Sequence, residues 1–455
     1  MNKISRRQFL RTGTAAGMLG AAVVSGAASA SACFEPELAL TCTQTAVVEG
    51  YDWGPGVKAT ILTFDRLLDP RSVRVEDIDS VVERKESMDW GNFGGPHIVA
   101  SAPRTVTAAY TCSKNGKKLE VPSKYVCLEM SCDPNTGSPF CYDFLVGMNT
   151  WCKPYELEIN MKENSALATI LGQKVTAAVD PVVDHEDALI PQMKQFVTDG
   201  VFRGTDGKEL TYGYYAPKGR KLPLVIWLHG AGEGGKDPSI AFLGNKASAL
   251  LSDEFQQAMG GAAYVLLPQT STFWLQYNEA GDWGGNPGVP SVYTQTLKEL
   301  IDAFVAEHPQ IDTNRILIGG CSNGGYMTVN MAIQYPGYFA AAYPICEAYK
   351  DSGITEEQLA TLKELPMWFI YAENDTTVDP AVFEAPTLAR LKAVDAKVHT
   401  SIFADVHDTT GLYKGTDGEP YQYMGHWSWL YFFNRECKDD ITGEDLWTWL
   451  GKQSK

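Results

Sequence analysis

The chain has 455 residues, of which 44% are hydrophobic and 20% charged, a globular composition that excludes long disorder. Its length is that of two or three domains of about 150 residues each. With 38 Lys and Arg against 55 Asp and Glu, the formal charge is −17, the wrong sign for a phosphate-backbone binder.

Residues 1–32 read as an export signal. Arg6 and Arg7 are adjacent, Phe9 and Leu10 follow, a Gly- and Ala-rich stretch runs over 12–25, and Ala28-Ser29-Ala30-Ser31-Ala32 closes it. A basic start, a short apolar run and a small-residue end make a signal peptide, and the twin arginines point to the Tat machinery as export partner. The apolar run falls short of the ~20 residues that a spanning helix needs. The expected location is therefore secreted, periplasmic or on the cell surface. Cys33 directly after Ala32 adds the option of a lipid anchor, although the Leu of a lipobox is missing. Removing 1–32 strips Lys3, Arg6, Arg7 and Arg11 and no acid, which moves the charge from −17 to −21.

Residues 33–165 read as an all-β, immunoglobulin-like sandwich. Tyr155 to Met161 alternates strictly, and Val57 to Phe64, Thr105 to Cys112 and Lys124 to Met130 are short β-rich runs between Pro, Gly and Asn clusters. Cysteines 33, 42, 112, 127, 132, 141 and 152 belong to this side. In an exported protein they predict structural disulfides rather than a metal site, with pairings that sequence does not reveal. Asp133 and Asn135 read as a turn rather than a calcium loop. Residues 166–189 read as a connector.

From 190 to 455 strands and helices alternate, the signature of a mostly parallel sheet covered by helices. Leu222 to Leu228, Ala262 to Leu267, Arg315 to Gly319, Met367 to Tyr371 and Lys397 to Val406 are the predicted strands. Val292 to His308, Tyr326 to Tyr335 and Trp429 to Phe433 are the predicted helices.

Candidate chemistry lies in this second part. Gly320-Cys321-Ser322-Asn323-Gly324 is a G-x-S-x-G pentapeptide between a strand and a helix, the setting that exposes a strained nucleophilic serine. His229-Gly230-Ala231-Gly232-Glu233-Gly234-Gly235 follows a buried strand, and its backbone N–H groups suit a developing oxyanion. Ala231 and Asn323 are the candidate donors there, with His229 shaping the loop. The acid should follow a later strand: Asp375 is preferred over its neighbours Glu373 and Asp379, with Glu347 as the alternative. For the base, His426 is preferred and His407 is the alternative. Trp283 and Tyr326 are candidate pocket residues, with packing an equally open role for Trp283 and the favoured one for Tyr326. The order Ser322, Asp375, His426 is that of an α/β-hydrolase.

These motifs, with Gly50-Tyr-Asp-Trp-Gly-Pro-Gly56 and Gly425-His-Trp-Ser-Trp429, resemble secreted α/β-hydrolase esterases that carry an N-terminal immunoglobulin-like domain. They are also similar to polyhydroxybutyrate depolymerases, dienelactone hydrolases and prolyl-oligopeptidase-like hydrolases. The resemblance implies hydrolysis of a small or polymer-bound carboxylic ester by Ser322, Asp375 and His426, without metal or cofactor. A serine peptidase with the same triad is the alternative. The β-propeller gate usual in oligopeptidases needs blades of about 40–45 residues, and the N-terminal part shows no such repeat.

Overall fold

A computed structural model describes residues 37–89, 91–92, 94–282 and 288–455. The export signal, Cys33 and Trp283 lie outside the described residues. The N-terminal part holds β1 (Leu38–Tyr51), β2 (Gly54–Leu68), β3 (Ile78–Ser87), β4 (Ile98–Pro103), β5 (Val106–Cys112), β6 (Ser123–Met130), β7 (Phe140–Asp143), β8 (Met148–Trp151), β9 (Tyr155–Met161) and β10 (Val175–Val179). They form a five-stranded sheet β10-β1-β2-β6-β5, a three-stranded sheet β4-β3-β9 and the hairpin β7-β8. Alternation explains the pairing of faces. Tyr155, Leu157 and Ile159 of β9 turn inward with Val81 of β3 to meet Leu62, Val126 and Leu128 of the larger sheet in one core. A buried ion pair pins this core: Arg104 Nη1 donates to Glu83 Oε2 at 2.6 Å, as does the Tyr155 hydroxyl at 2.6 Å.

The segment read as a connector carries β10, which pairs in parallel with the first residues of β1, Leu38 opposite Val175 through Cys42 opposite Val179. The strand is hidden in the sequence because the run is short and only Val175 is buried.

The nine described cysteines are free thiols, so the predicted disulfides are not formed among the described residues. Cys112 faces Tyr125 and Cys127 faces Tyr110 across β5 and β6. These thiols pack as small apolar groups.

The second part holds β11 (Val197–Arg203), β12 (Glu209–Tyr215), β13 (Leu222–Leu228), α1 (Pro238–Gly244), α2 (Asp253–Ala258), β14 (Tyr264–Thr270), α3 (Thr294–Glu307), β15 (Ile311–Cys321), α4 (Asn323–Gln334), β16 (Ala341–Ile345), α5 (Glu356–Lys363), β17 (Met367–Ala372), α6 (Glu384–Ala393), β18 (Val398–Phe403), α7 (Trp429–Phe433) and α8 (Leu446–Lys452). One eight-stranded sheet runs β11-β12-β14-β13-β15-β16-β17-β18, parallel from β14 onward, with β11 and β12 antiparallel at one edge. The central strands are buried on both faces and therefore read as unbroken apolar runs. Helix α4 is buried from Asn323 to Ile333 because it lies against β13, β15 and β16 with α3 and α5 over it.

The two parts share one core, which runs from Leu40 and Leu62 to Trp227, Phe242 and Leu450. Polar contacts reinforce the junction. Lys246 Nζ lies 2.6 Å from Asp52 Oδ1, Asn434 Nδ2 donates to Asp52 Oδ2 at 3.1 Å, and Lys246 also bonds Asn434.

Candidate active site

The nucleophile candidate is built by a strand that stops at a helix. Ser322 follows β15, caps α4 and has φ 55° and ψ −116°, a region that non-glycine residues rarely occupy. The flanking glycines are required by proximity. A Cβ on Gly324 would lie 2.0 Å from the Leu228 carbonyl oxygen, and one on Gly320 would lie 2.3 Å from the same atom. Any side chain there would push the elbow off β13.

His426 Nε2 is 2.8 Å from Ser322 Oγ, and His426 Nδ1 is 2.6 Å from Asp375 Oδ2. The carboxylate can only accept, so Nδ1 carries the proton and Nε2 is left as acceptor for the serine hydroxyl. Asp375 is 4% exposed and His426 is 8% exposed. The other Asp375 oxygen accepts the backbone N–H groups of Thr377 at 2.8 Å and Val378 at 2.9 Å. His426 reaches this position because its loop touches the one after β17: a Cβ on Gly425 would fall 2.2 Å from Asn374 Oδ1.

The alternatives lie elsewhere. His407 is 2.6 Å from Asp405 and takes part in no bond with Ser322. Glu347 is fully buried after β16 and accepts from the Tyr349 N–H, and burial raises its carboxyl to about 8. Tyr326 is 3% exposed, stacks on Tyr349 with centroids 5.2 Å apart and donates to the Val289 carbonyl. Asp133 accepts from the Asn135 N–H and the Thr136 hydroxyl, an ordinary Asx turn. Among the described residues no three His, Cys, Asp or Glu side chains converge as a metal site.

The glycine-rich loop sits beside the elbow. His229 is fully buried, which lowers it to about 4 and keeps the ring neutral. Its Nε2 accepts the Thr270 N–H at 3.2 Å while Nδ1 donates to the Gly230 carbonyl. Inside the loop lies the Glu233 carboxyl, raised by burial to about 7 and served by the side chains of Asn245 and Asn149, while the Gly230 N–H donates to Asn245 Oδ1 at 3.5 Å. The Ala231 N–H opens a short turn, Ala231–Glu233, and the Asn323 N–H opens α4. Both are first-turn donors that helix geometry leaves without an internal acceptor. Sequence reasoning misses Glu233 and Asn149. A lone Glu among four glycines is a signal for the first, whereas nothing in the sequence marks the second.

Residues 43–177 match the family described as the esterase Ig-like N-terminal domain, and residues 215–411 match the phospholipase/carboxylesterase family. Poly(3-hydroxyalkanoate) depolymerase C of Paucimonas lemoignei is 30% identical over 151 residues, 31% of this chain and 32% of that protein. The chain thus matches about a third of the length of this curated relative. The crystal structure of a thermostable esterase superposes with a TM-score of 0.64 over 90% of this chain and 99% of that one, at 22% identity, a likeness of fold.

Proposed function

We infer that this chain, which joins an esterase Ig-like N-terminal domain to an α/β-hydrolase domain of the phospholipase/carboxylesterase family, hydrolyses carboxylic esters through an acyl-enzyme on Ser322. The observation that carries the reading is the hydrogen-bonded relay from Ser322 Oγ to His426 Nε2 and from His426 Nδ1 to Asp375. As Oγ forms its bond to the ester carbonyl carbon, its proton passes to Nε2. Asp375 holds the ring in the accepting tautomer and balances the imidazolium. The carbonyl oxygen becomes an oxyanion, taken up by the N–H groups of Ala231 and Asn323. Collapse breaks the bond to the leaving alkoxy group, which receives the Nε2 proton and departs as the alcohol. Water then repeats the sequence on the acyl group, with His426 as base, and releases the acid.

The substrate is a small or polymer-bound ester; the matched relative is named a depolymerase of a polyester. The twin-arginine segment supports export by the Tat route, with Cys33 available for a lipid tether. Ser322→Ala is expected to abolish turnover of p-nitrophenyl acyl esters while the thermal unfolding profile stays near that of the unaltered protein. Retained turnover overturns the nucleophile assignment. A series from acetate to laurate beside prolyl amides reads the substrate class, and faster amide than ester turnover would favour a peptidase.

A further inference from the structure

The hairpin β7-β8 of the N-terminal domain lies against the glycine-rich loop of the hydrolase domain. Asn149 Nδ2 donates to Glu233 Oε1 at 3.3 Å, and Trp151 Nε1 donates to Asp237 Oδ2 at 2.9 Å. The fit is close. A Cβ on Gly232 would sit 3.0 Å from Asn149 Nδ2, and one on Gly234 would sit 2.8 Å from the Met148 methyl. From the other side, Gln269 Nε2 donates to the Glu233 carbonyl at 2.9 Å, and Gly244 leaves no room, since a Cβ there would be 2.5 Å from Glu233 Cγ.

Glu233 is therefore the post around which the loop is wound. It is 6% exposed and packs against Gly230, whose N–H turns inward to Asn245 Oδ1 at 3.5 Å. The next N–H, that of Ala231, is the one left for a substrate oxygen. Of the side chains that hold the Glu233 carboxyl, Asn149 alone comes from the N-terminal domain.

We propose that Asn149 is a positioning residue for the hydrolytic reaction, its side-chain amide fixing the Glu233 carboxyl and through it the Ala231 N–H, so that the N-terminal domain completes the oxyanion site. The proposal rests on the reading of Ala231 as an oxyanion donor. It gives the β-domain a part in the chemistry while leaving substrate contact and the relay to other residues.

The test is a kinetic one on the full chain with p-nitrophenyl butyrate. Asn149→Ala and Asn149→Leu are expected to lower kcat about tenfold with KM within about twofold, a smaller loss than the roughly 10²–10³ that follows removal of a donor itself. Binding of a trifluoromethyl ketone, which forms a tetrahedral adduct on the serine, should weaken by the same factor. Asn149→Asp alone sets a second carboxyl against Glu233 and should lose more. Combining it with Glu233→Gln reverses the direction of the hydrogen bond and should recover most of that loss. A kcat for Asn149→Ala within twofold of the unaltered protein overturns the proposal, and so does a swapped pair that recovers nothing, since Asn149 would then act by packing alone. Ser322→Ala, assayed in parallel, separates the two readings: activity in that variant sinks the triad, whereas its inactivity beside a fully active Asn149→Ala sinks only the brace.

Discussion

Asp375 and Glu347 follow neighbouring strands of the same sheet, and their surroundings assign them different roles. Asp375 receives three donors, two from the backbone and one from His426, so both of its oxygens are held by hydrogen bonds. Glu347 receives one, the Tyr349 N–H, while its Oε1 and both oxygens of Glu384 are buried without a partner. Burial raises both of these carboxyls, with the charge of Asp351 adding to it at Glu347 and that of Glu347 adding to it at Glu384. A folded value above the unfolded one means that the proton favours the fold. This contribution is complete below the ordinary value of 4.5 and drains away as pH climbs through the folded value. Glu347→Gln stays neutral at every pH. Urea unfolding should show the variant losing less stability than the unaltered protein between pH 5 and pH 8, by about 1 kcal/mol or more, since a tenfold difference in proton affinity between folded and unfolded chains is worth about 1.4 kcal/mol. Equal losses in the two proteins would mean that Glu347 titrates normally.

At the scale of elements, the joints matter more than the rods. Gly324 has a neighbouring carbonyl oxygen 2.0 Å from where a Cβ would stand, whereas Gly337, at φ 69°, has open space around it. Gly324→Ala is expected to abolish activity and to cost more than the ~1–3 kcal/mol typical of overpacking. Gly337→Ala should cost only the ~1–2 kcal/mol of left-handed backbone and leave turnover intact. Calorimetry together with an ester assay distinguishes the two outcomes. The same contrast explains how much of the fold and site is legible in the sequence. Central strands such as Leu222–Leu228 and Met367–Ala372 are buried on both faces and announce themselves as apolar runs. The elbow shows itself by a local motif, and the order of Ser322, Asp375 and His426 follows from counting strands. Edge strands β4 and β10 bury little and carry no such pattern. Asn149 is illegible because its partner lies 84 positions away in sequence, and no short-range pattern encodes a contact of that span.

For the whole molecule, a core cluster that spans both parts predicts one cooperative event. Leu62, Trp227 and Leu450 belong to a single packed cluster, so a calorimetric scan should give one transition rather than separate ones for the two parts. Asp52→Ala removes the acid at their junction, where Asp52 is nearly buried and Lys246 is about a quarter exposed. The partial exposure of Lys246 places the expected loss at roughly 1–3 kcal/mol, below that of a fully buried pair. Two resolved transitions in this variant would show that the junction, rather than the shared core, couples the parts.

The parallel pairing of β10 with the opening residues of β1 has a mechanical consequence. Tension applied from the N-terminal side enters the fold at Leu38, at the start of five residues bonded in register to Val175–Val179. When the opposing load comes through the hydrolase part, which follows the C-terminal end of β10, the parallel strands are pulled at opposite ends, and the ladder is loaded along its length rather than one bond at a time from Leu38. The β-domain is thereby latched at the end where the chain enters it, by a strand drawn from the far end of the same domain. A protein held at its N-terminus would carry strain across that ladder, far along the chain from the loop that Asn149 braces.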